Sequence, residues 1–393
     1  VTDLAYFSGV PTFAEPLHVG RPNIGDRARF LEKVNDIFDR RWLSNNGTYA
    51  RELESALAER LGVKHCLVVA NGTIGLEIAV RALGLSGEVI VPAYTFIATA
   101  HALRWLGLTP VFCDVDPSTH TIDPVSAEKA ITEQTTGIIG VHLWGQPCAI
   151  DPLQAIADKH DLALLYDAAH AFASTHDNRP IGSFGDLEVF SFHATKFFNT
   201  FEGGAITTNN AALAERVRLM RNFGFAGVDN VVSEGTNGKL NEVSAAMGLN
   251  LLTEIDTLLE VNRRNYQQYQ CGLAPIPGIK LLEYANINAN NCQYIVLEID
   301  PAVIKRDTLL MMLQAENVRA RRYFYPGCHR MEPYASQVVP DSWPVPVTEM
   351  LSERVLVLPG GATLDSAEIE TICGLLKTFV EHADAIEAQI RLQ

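Results

Sequence analysis

Four places in this sequence set a chemically capable side chain directly after an apolar run. "CLVVA" (66–70) is followed by Asn71-Gly72-Thr73, which opens a helix-like stretch. Free N–H groups and the positive end of the helix dipole favour an anion there. Gly72 lets backbone approach the anion, and Thr73 adds a hydroxyl donor. "EVIVP" (88–92) leads to Tyr94, Thr95 and Phe96, aromatics able to lie flat on a planar ligand. "LALLYDA" (162–168) carries Asp167, followed by Ala169 and His170; a carboxylate at that point is costly unless paired or hydrogen-bonded. "LEVFSF" (187–192) leads to His193, Thr195 and Lys196. An amine held partly out of water loses pKa and becomes a nucleophile able to form a Schiff base. Each place also has a plainer reading: an N-cap threonine, a core aromatic, an N-cap or ion-paired aspartate, a lysine with its head in water.

The elements carrying these residues follow from the pattern. From about residue 60, short β-branched runs alternate with helix-like stretches. "PVFCDV" (110–115), "TGIIGVHLWG" (136–145) and "GAITT" (204–208) continue the strand series, with helical stretches near 124–132, 150–160 and 211–223. Continuous apolar strands separated by helices imply an α/β fold with a large, mostly parallel sheet buried on both faces. Such sheets bind ligands at the carboxyl ends of their strands, so the four places should meet in one cleft. An anion cradle, an aromatic face, a carboxylate and an amine together suit pyridoxal 5'-phosphate: phosphate, ring, pyridinium nitrogen and aldehyde in turn.

Downstream, Asn241 to about Leu273 reads as one long helix, with Val243, Met247, Leu251, Ile255 and Leu258 at helical spacing. "APIPGIK" breaks it. The tail reads as a smaller α+β domain: strands at 292–299 and 319–325, a helix at 305–318 and a final helix from about 365. The change of domain is expected within 255–280. This gives a large domain over 1–260, N-terminal segment included, and a small one over 261–393.

Composition removes other classes. The chain has 393 residues, more than one compact core usually holds. A net charge of -15, from 31 basic and 46 acidic residues, argues against nucleic acid or an anionic membrane as partner. Seven scattered cysteines without a CxxC pair argue against a disulfide framework or a metal site and suit the cytoplasm. No apolar run reaches the roughly 18 residues of a membrane span, and "VTDLAYFSGV" does not read as a signal peptide. GxxxxGK[ST] is absent, and no GxGxxG follows an early strand.

Taken together, "NGTIGLEIA", "DAAHA", "SFHATK" and "GTNGKLNEVSAAMG" resemble the DegT/DnrJ/EryC1/StrS family of sugar aminotransferases. The likeness runs from "WLSNNGTYARELE" (42–54) to "YFYPGCHRMEPY" (323–334). The resemblance implies a fold-type I pyridoxal phosphate transferase with a seven-stranded sheet. Lys196 would carry the cofactor as a Schiff base, Asp167 would pair with the pyridinium nitrogen, and His170 would stand near the 3-hydroxyl. Gly72, Thr73 and Ser191 would hold the phosphate, and Phe96 would stack on the ring.

The resemblance also implies that Asn237 reaches the phosphate of a neighbouring subunit, so the expected assembly is a homodimer with shared active sites. The family often reads Asn-Tyr-Arg-Met where this chain has Asn237-Gly238-Lys239-Leu240. The implied amino donor is L-glutamate, leaving pyridoxamine phosphate between half-reactions. The acceptor would be a nucleotide-linked keto-sugar. Lysine, rather than the histidine of the dehydrating members, points to amino transfer. "WLSNNG" and "RRYFYP" look most like members acting at C4 of a 4-keto-6-deoxyhexose. Asn46, Arg322, Tyr323, Tyr325 and His329 are the candidates for the sugar nucleotide. A C3-specific aminotransferase, a sugar dehydratase and a non-catalytic regulatory protein on the same fold are the other readings.

Overall fold

The computed structural model describes residues 3–336 and 344–392. Seven strands form the main sheet: β1 (His65–Val69), β2 (Glu88–Pro92), β3 (Thr109–Cys113), β4 (Thr135–Val141), β5 (Ala163–Asp167), β6 (Leu187–Ser191) and β7 (Gly204–Thr208). Their order is β1-β7-β6-β5-β4-β2-β3. Only β7 runs antiparallel to its neighbours. Among the described residues no helix is long and apolar enough to cross a membrane.

The period of two along each strand splits the side chains between two apolar layers. Val89, Val91 and Leu165 enter one core; Ile90, Leu164 and Tyr166 enter the other. Both faces are covered by helices, which is why the strands read as unbroken apolar runs. Asp167 follows the parity of Leu165 and pairs in register with Val189. Its carboxylate therefore faces the layer of helices α1 (Gly72–Ala82) and α2 (Ala98–Trp105).

The expected single helix from Asn241 is two: α3 (Glu242–Leu252) and α4 (Ile255–Leu273). The break has local causes. Thr253 turns its hydroxyl back onto the Asn250 carbonyl at 2.8 Å, and Glu254 leaves the helical path (φ -114, ψ 3) to accept from Arg29 and the Asp26 N–H. Helix α4 begins in one core, through Ile255, Leu258 and Leu259, and ends in another, through Tyr266, Tyr269 and Leu273.

That second core lies under a three-stranded antiparallel sheet of β8 (Ile279–Leu281), β9 (Ile295–Ile299) and β10 (Val355–Leu358). Residues 3–18 of the N-terminal segment, expected with the large domain, pack here, whereas Phe30, Ile37 and Tyr49 further on join the main-sheet core. Leu17–His18 pairs in parallel with Val318–Arg319, and the Glu316 carboxylate takes the N–H groups of Ala5 and Thr12. The expected strand at 319–325 also differs. Beyond Arg319 only Arg321 bridges to Val357. The chain then turns, with Tyr325 N–H on the Arg322 carbonyl at 3.0 Å and Gly327 N–H on the Phe324 carbonyl at 2.7 Å. The turn brings Tyr323 and Phe324 back to the main sheet.

Candidate active site

A cleft of about 660 Å³ opens at the carboxyl ends of β1, β2, β4, β5 and β6. The main sheet contributes Gly72, Thr73, Phe96, Asp167, His170, Ser191 and Lys196 to its wall; the C-terminal part contributes Tyr294, Arg321 and Tyr323. All seven residues assigned to the cofactor within one subunit thus line one cavity.

The cradle for an anion is built at the start of α1. Asn71 caps the helix by accepting the Ile74 N–H at 2.9 Å. This leaves the Gly72 and Thr73 N–H groups without an acceptor among the described residues. Gly72 is needed for closeness: a Cβ there would meet the Ser191 Cβ at 3.0 Å. The Ser191 side chain thus lies against two free helix-terminal amides, a natural seat for a phosphate.

Asp167 is 6% exposed. Its Oδ2 accepts from Thr99 Oγ1 at 2.8 Å and its Oδ1 from the Ala169 N–H at 3.0 Å. Burial pushes its pKa up, against the pull of these two bonds and of the Lys196 charge. A buried carboxylate so held is short of a cationic partner.

Lys196 follows a tight turn. Its N–H donates to the His193 carbonyl at 2.8 Å, and His193 and Thr195 bond through their side chains at 2.8 Å. Nζ reaches the Tyr294 hydroxyl at 3.0 Å. Burial pushes the amine pKa down to about 8, with Asp167 opposing. His170, 8% exposed, is pushed well below the usual imidazole range by burial and by the Lys196 charge. Its Nδ1 accepts the Trp144 N–H at 3.4 Å, so the ring stays neutral and oriented.

These residues fit pyridoxal phosphate: an amine with a lowered pKa, a carboxylate without a cation, two free amides beside a serine, and a neutral imidazole. Phe96 borders the same space with 57% of its surface exposed.

The sugar-nucleotide candidates divide. Tyr323 lines the cleft. Arg322 does not: its guanidinium is held by Asp307 and lies over the Tyr325 ring, 4.6 Å from the centroid. Tyr325 also faces Arg306 from 5.3 Å. His329 does not line the cleft either: its Nε2 stands 3.7 Å from the Glu349 carboxylate, next to Cys328, whose N–H donates to the Ala93 carbonyl. Asn46 lines a separate cavity with Arg221 and Lys239. Asn237 is exposed, accepts from Lys239 Nζ at 2.6 Å and does not line the cleft of its own chain.

Sequence reasoning missed Thr99 and Tyr294. A threonine on the otherwise apolar inner face of α2, beside Ala100, Ala102 and Leu103, was the available signal for the first. Nothing local marked Tyr294.

The sequence profile of the DegT/DnrJ/EryC1/StrS aminotransferase family matches residues 25–377. A relative from Shigella dysenteriae, a dTDP-4-amino-4,6-dideoxy-D-glucose transaminase, is 39% identical over 92% of this chain and 99% of its own length. A GDP-perosamine synthase from Caulobacter vibrioides is 33% identical over 92% of this chain and 97% of its own. Among solved structures, DesI in the presence of its TDP-sugar product superposes with a TM-score of 0.95 at 46% identity, covering 99% of both chains.

Proposed function

The chain belongs to the DegT/DnrJ/EryC1/StrS aminotransferase family, and from that premise we propose that it moves an amino group from L-glutamate to C4 of dTDP-4-keto-6-deoxyglucose. It is a pyridoxal phosphate-dependent sugar-nucleotide aminotransferase. The observation that carries the reading is the meeting, in one cleft, of the half-buried Lys196 amine and the buried Asp167 carboxylate, which makes no ion pair within 4 Å among the described residues. The likeness to the Shigella transaminase and to DesI supports the choice of nucleotide and carbon.

When bound, pyridoxal phosphate supplies a carbonyl for amine exchange and a ring that withdraws electrons from the reacting carbon. Gly72 and Thr73, with Ser191, would hold the phosphate. Asp167, steadied by Thr99 and the Ala169 N–H, would keep the ring nitrogen protonated. His170 would serve the 3-hydroxyl as a neutral ring, and Phe96 would lie against the ring. Lys196 would carry the cofactor at rest. When free, its Nζ would take the α-proton of glutamate as a general base and, in the return half-reaction, deliver a proton to C4 of the sugar. Tyr323, joined by Arg321 as a cation in the cleft wall, contacts the sugar nucleotide.

The working unit in this reading is a homodimer with shared sites. Asn237, exposed and outside the lining of its own cleft, serves the partner's phosphate. Exposed Leu43, Phe223, Phe225, Val231 and Val232 supply apolar surface for the contact. The change of core inside α4 supports a division at residues 260/261, with residues 3–18 grouped with the smaller unit. The cytoplasm is the proposed place of work, supported by seven unpaired cysteines, six of them buried.

Incubation with glutamate and a panel of keto-sugar nucleotides, followed by NMR of the products, tests this reading. A new amine at C4 of the dTDP-sugar is expected. An amine at C3, or loss of a hydroxyl without gain of nitrogen, overturns it.

A further inference from the structure

We propose that Tyr294 is a positioning residue for Lys196, its hydroxyl accepting a hydrogen bond from Nζ and fixing where the free amine points whenever it is not bound to the cofactor. The inference rests on Lys196 being the lysine that carries the cofactor.

The geometry is specific. Tyr294 is 5% exposed and immediately precedes β9, so it reaches the large-domain lysine from the smaller unit. Its ring packs on His170, centroids 4.4 Å apart, and meets Trp144 edge-on at 5.3 Å. The hydroxyl makes its hydrogen bond to Nζ at 3.0 Å. The segment before it grips three strand-end loops. Asn290 Nδ2 donates to the Trp144 carbonyl. Asn291 Nδ2 donates to the carbonyls of His170 and Phe172 at 2.8 and 3.0 Å. Gln293 Nε2 donates to the Thr195 carbonyl, one residue before Lys196, at 3.1 Å. The smaller unit therefore holds both the turn that carries the lysine and the end of its side chain.

The chemistry explains why an acceptor belongs there. A lysine stem has four rotatable bonds, and a buried amine without an acceptor is costly. An acceptor that takes one N–H fixes the direction of the remaining N–H groups and, in the neutral amine, of the lone pair. The bond also strengthens when the amine gains a proton, because it becomes charge-assisted. Burial keeps the Tyr294 phenol well above its usual range. The hydroxyl thus stays neutral and does not compete with Asp167 as a counter-charge. The other ionisable groups of the cleft are Asp167 and His170 after β5, His193 and Glu202 after β6, and Arg321 and Tyr323 from the smaller unit.

The test uses the full chain freed of its cofactor. Lys196 is labelled with trace acetic anhydride across a pH series, and labelling is read by mass spectrometry of its peptide. In Tyr294→Phe the pH of half-labelling should fall by about one unit, because the ammonium loses its acceptor. On reloading the cofactor, kcat should drop with little change in KM. An unchanged half-labelling pH overturns the proposal. Should the variant fail to fold, ¹³C NMR of the wild-type apoprotein decides. The Tyr294 Cζ resonance, identified by its through-space contact with Lys196, should move at the Lys196 titration midpoint; independent titration overturns the proposal. Borohydride reduction of the loaded enzyme separates the two readings. Label on another lysine defeats the assignment of Lys196, whereas label on Lys196 with an unchanged pH profile defeats only the role of Tyr294.

Discussion

Thr99 donates its hydroxyl to Asp167 across 2.8 Å, from the first turn of α2 to the last residue of β5. The bond joins two elements 68 positions apart and steadies a carboxylate that burial opposes. Asp167 has a raised pKa in the folded chain, so between the ordinary 3.8 and that raised value the folded state binds more protons than the unfolded one. Stability of the apoprotein therefore falls as pH rises through this window, and the cost is complete only above the raised value.

Asp167→Asn should leave the apoprotein at least as heat-stable as wild type at pH 7 while weakening cofactor retention more than about tenfold, since the ring nitrogen loses its anion. Thr99→Val should weaken cofactor binding about tenfold, on the scale of one bond to a charged group. Thermal melting of the apoproteins and absorbance titration with cofactor measure both effects. A destabilised Asp167→Asn apoprotein with normal cofactor affinity contradicts the pairing.

Lys196 has the opposite sign. Its folded pKa of about 8 lies below the ordinary 10.5, so the half-buried, partly desolvated ammonium costs stability below pH 8 and the cost fades as pH rises toward 10.5. The rate at which apoprotein captures pyridoxal phosphate should rise about tenfold per pH unit below 8 and level off above it, because the neutral amine is the nucleophile. Stopped-flow absorbance across pH 6 to 10, a range chosen to bracket about 8, reports the midpoint. Lys196→Ala should abolish turnover yet still bind pyridoxamine phosphate.

Mixed dimers test the shared site. Lys196→Ala and Asn237→Ala chains are each expected to be impaired alone. Co-expressed, they should regain about one quarter of wild-type activity, because half the dimers are mixed and each holds one intact site. Activity no higher than the sum of the separate variants would show that Asn237 acts on its own chain or not at all.

The sequence by itself determined the strand ends and their chemistry. Apolar β-branched runs declare a buried parallel sheet, and the residue after each run must face its carboxyl edge. For that reason Gly72, Phe96, Asp167 and Lys196 stood out from local pattern and residue type, while Ser191 entered only through the family resemblance. What only the tertiary structure decided are meetings across long stretches of chain. Tyr294 lies 98 positions from the lysine it bonds, and no local period encodes that distance. Arg321 and Arg322 are neighbours in sequence, yet one enters the cleft wall while the other is drawn out by Asp307. His329 resembles a site histidine in its motif but stands beside Glu349, outside the cleft lining, where Cys328 is tied to Ala93 just after β2. Local periodicity fixes which way a side chain leaves its own backbone; which distant group it meets depends on how the two cores pack.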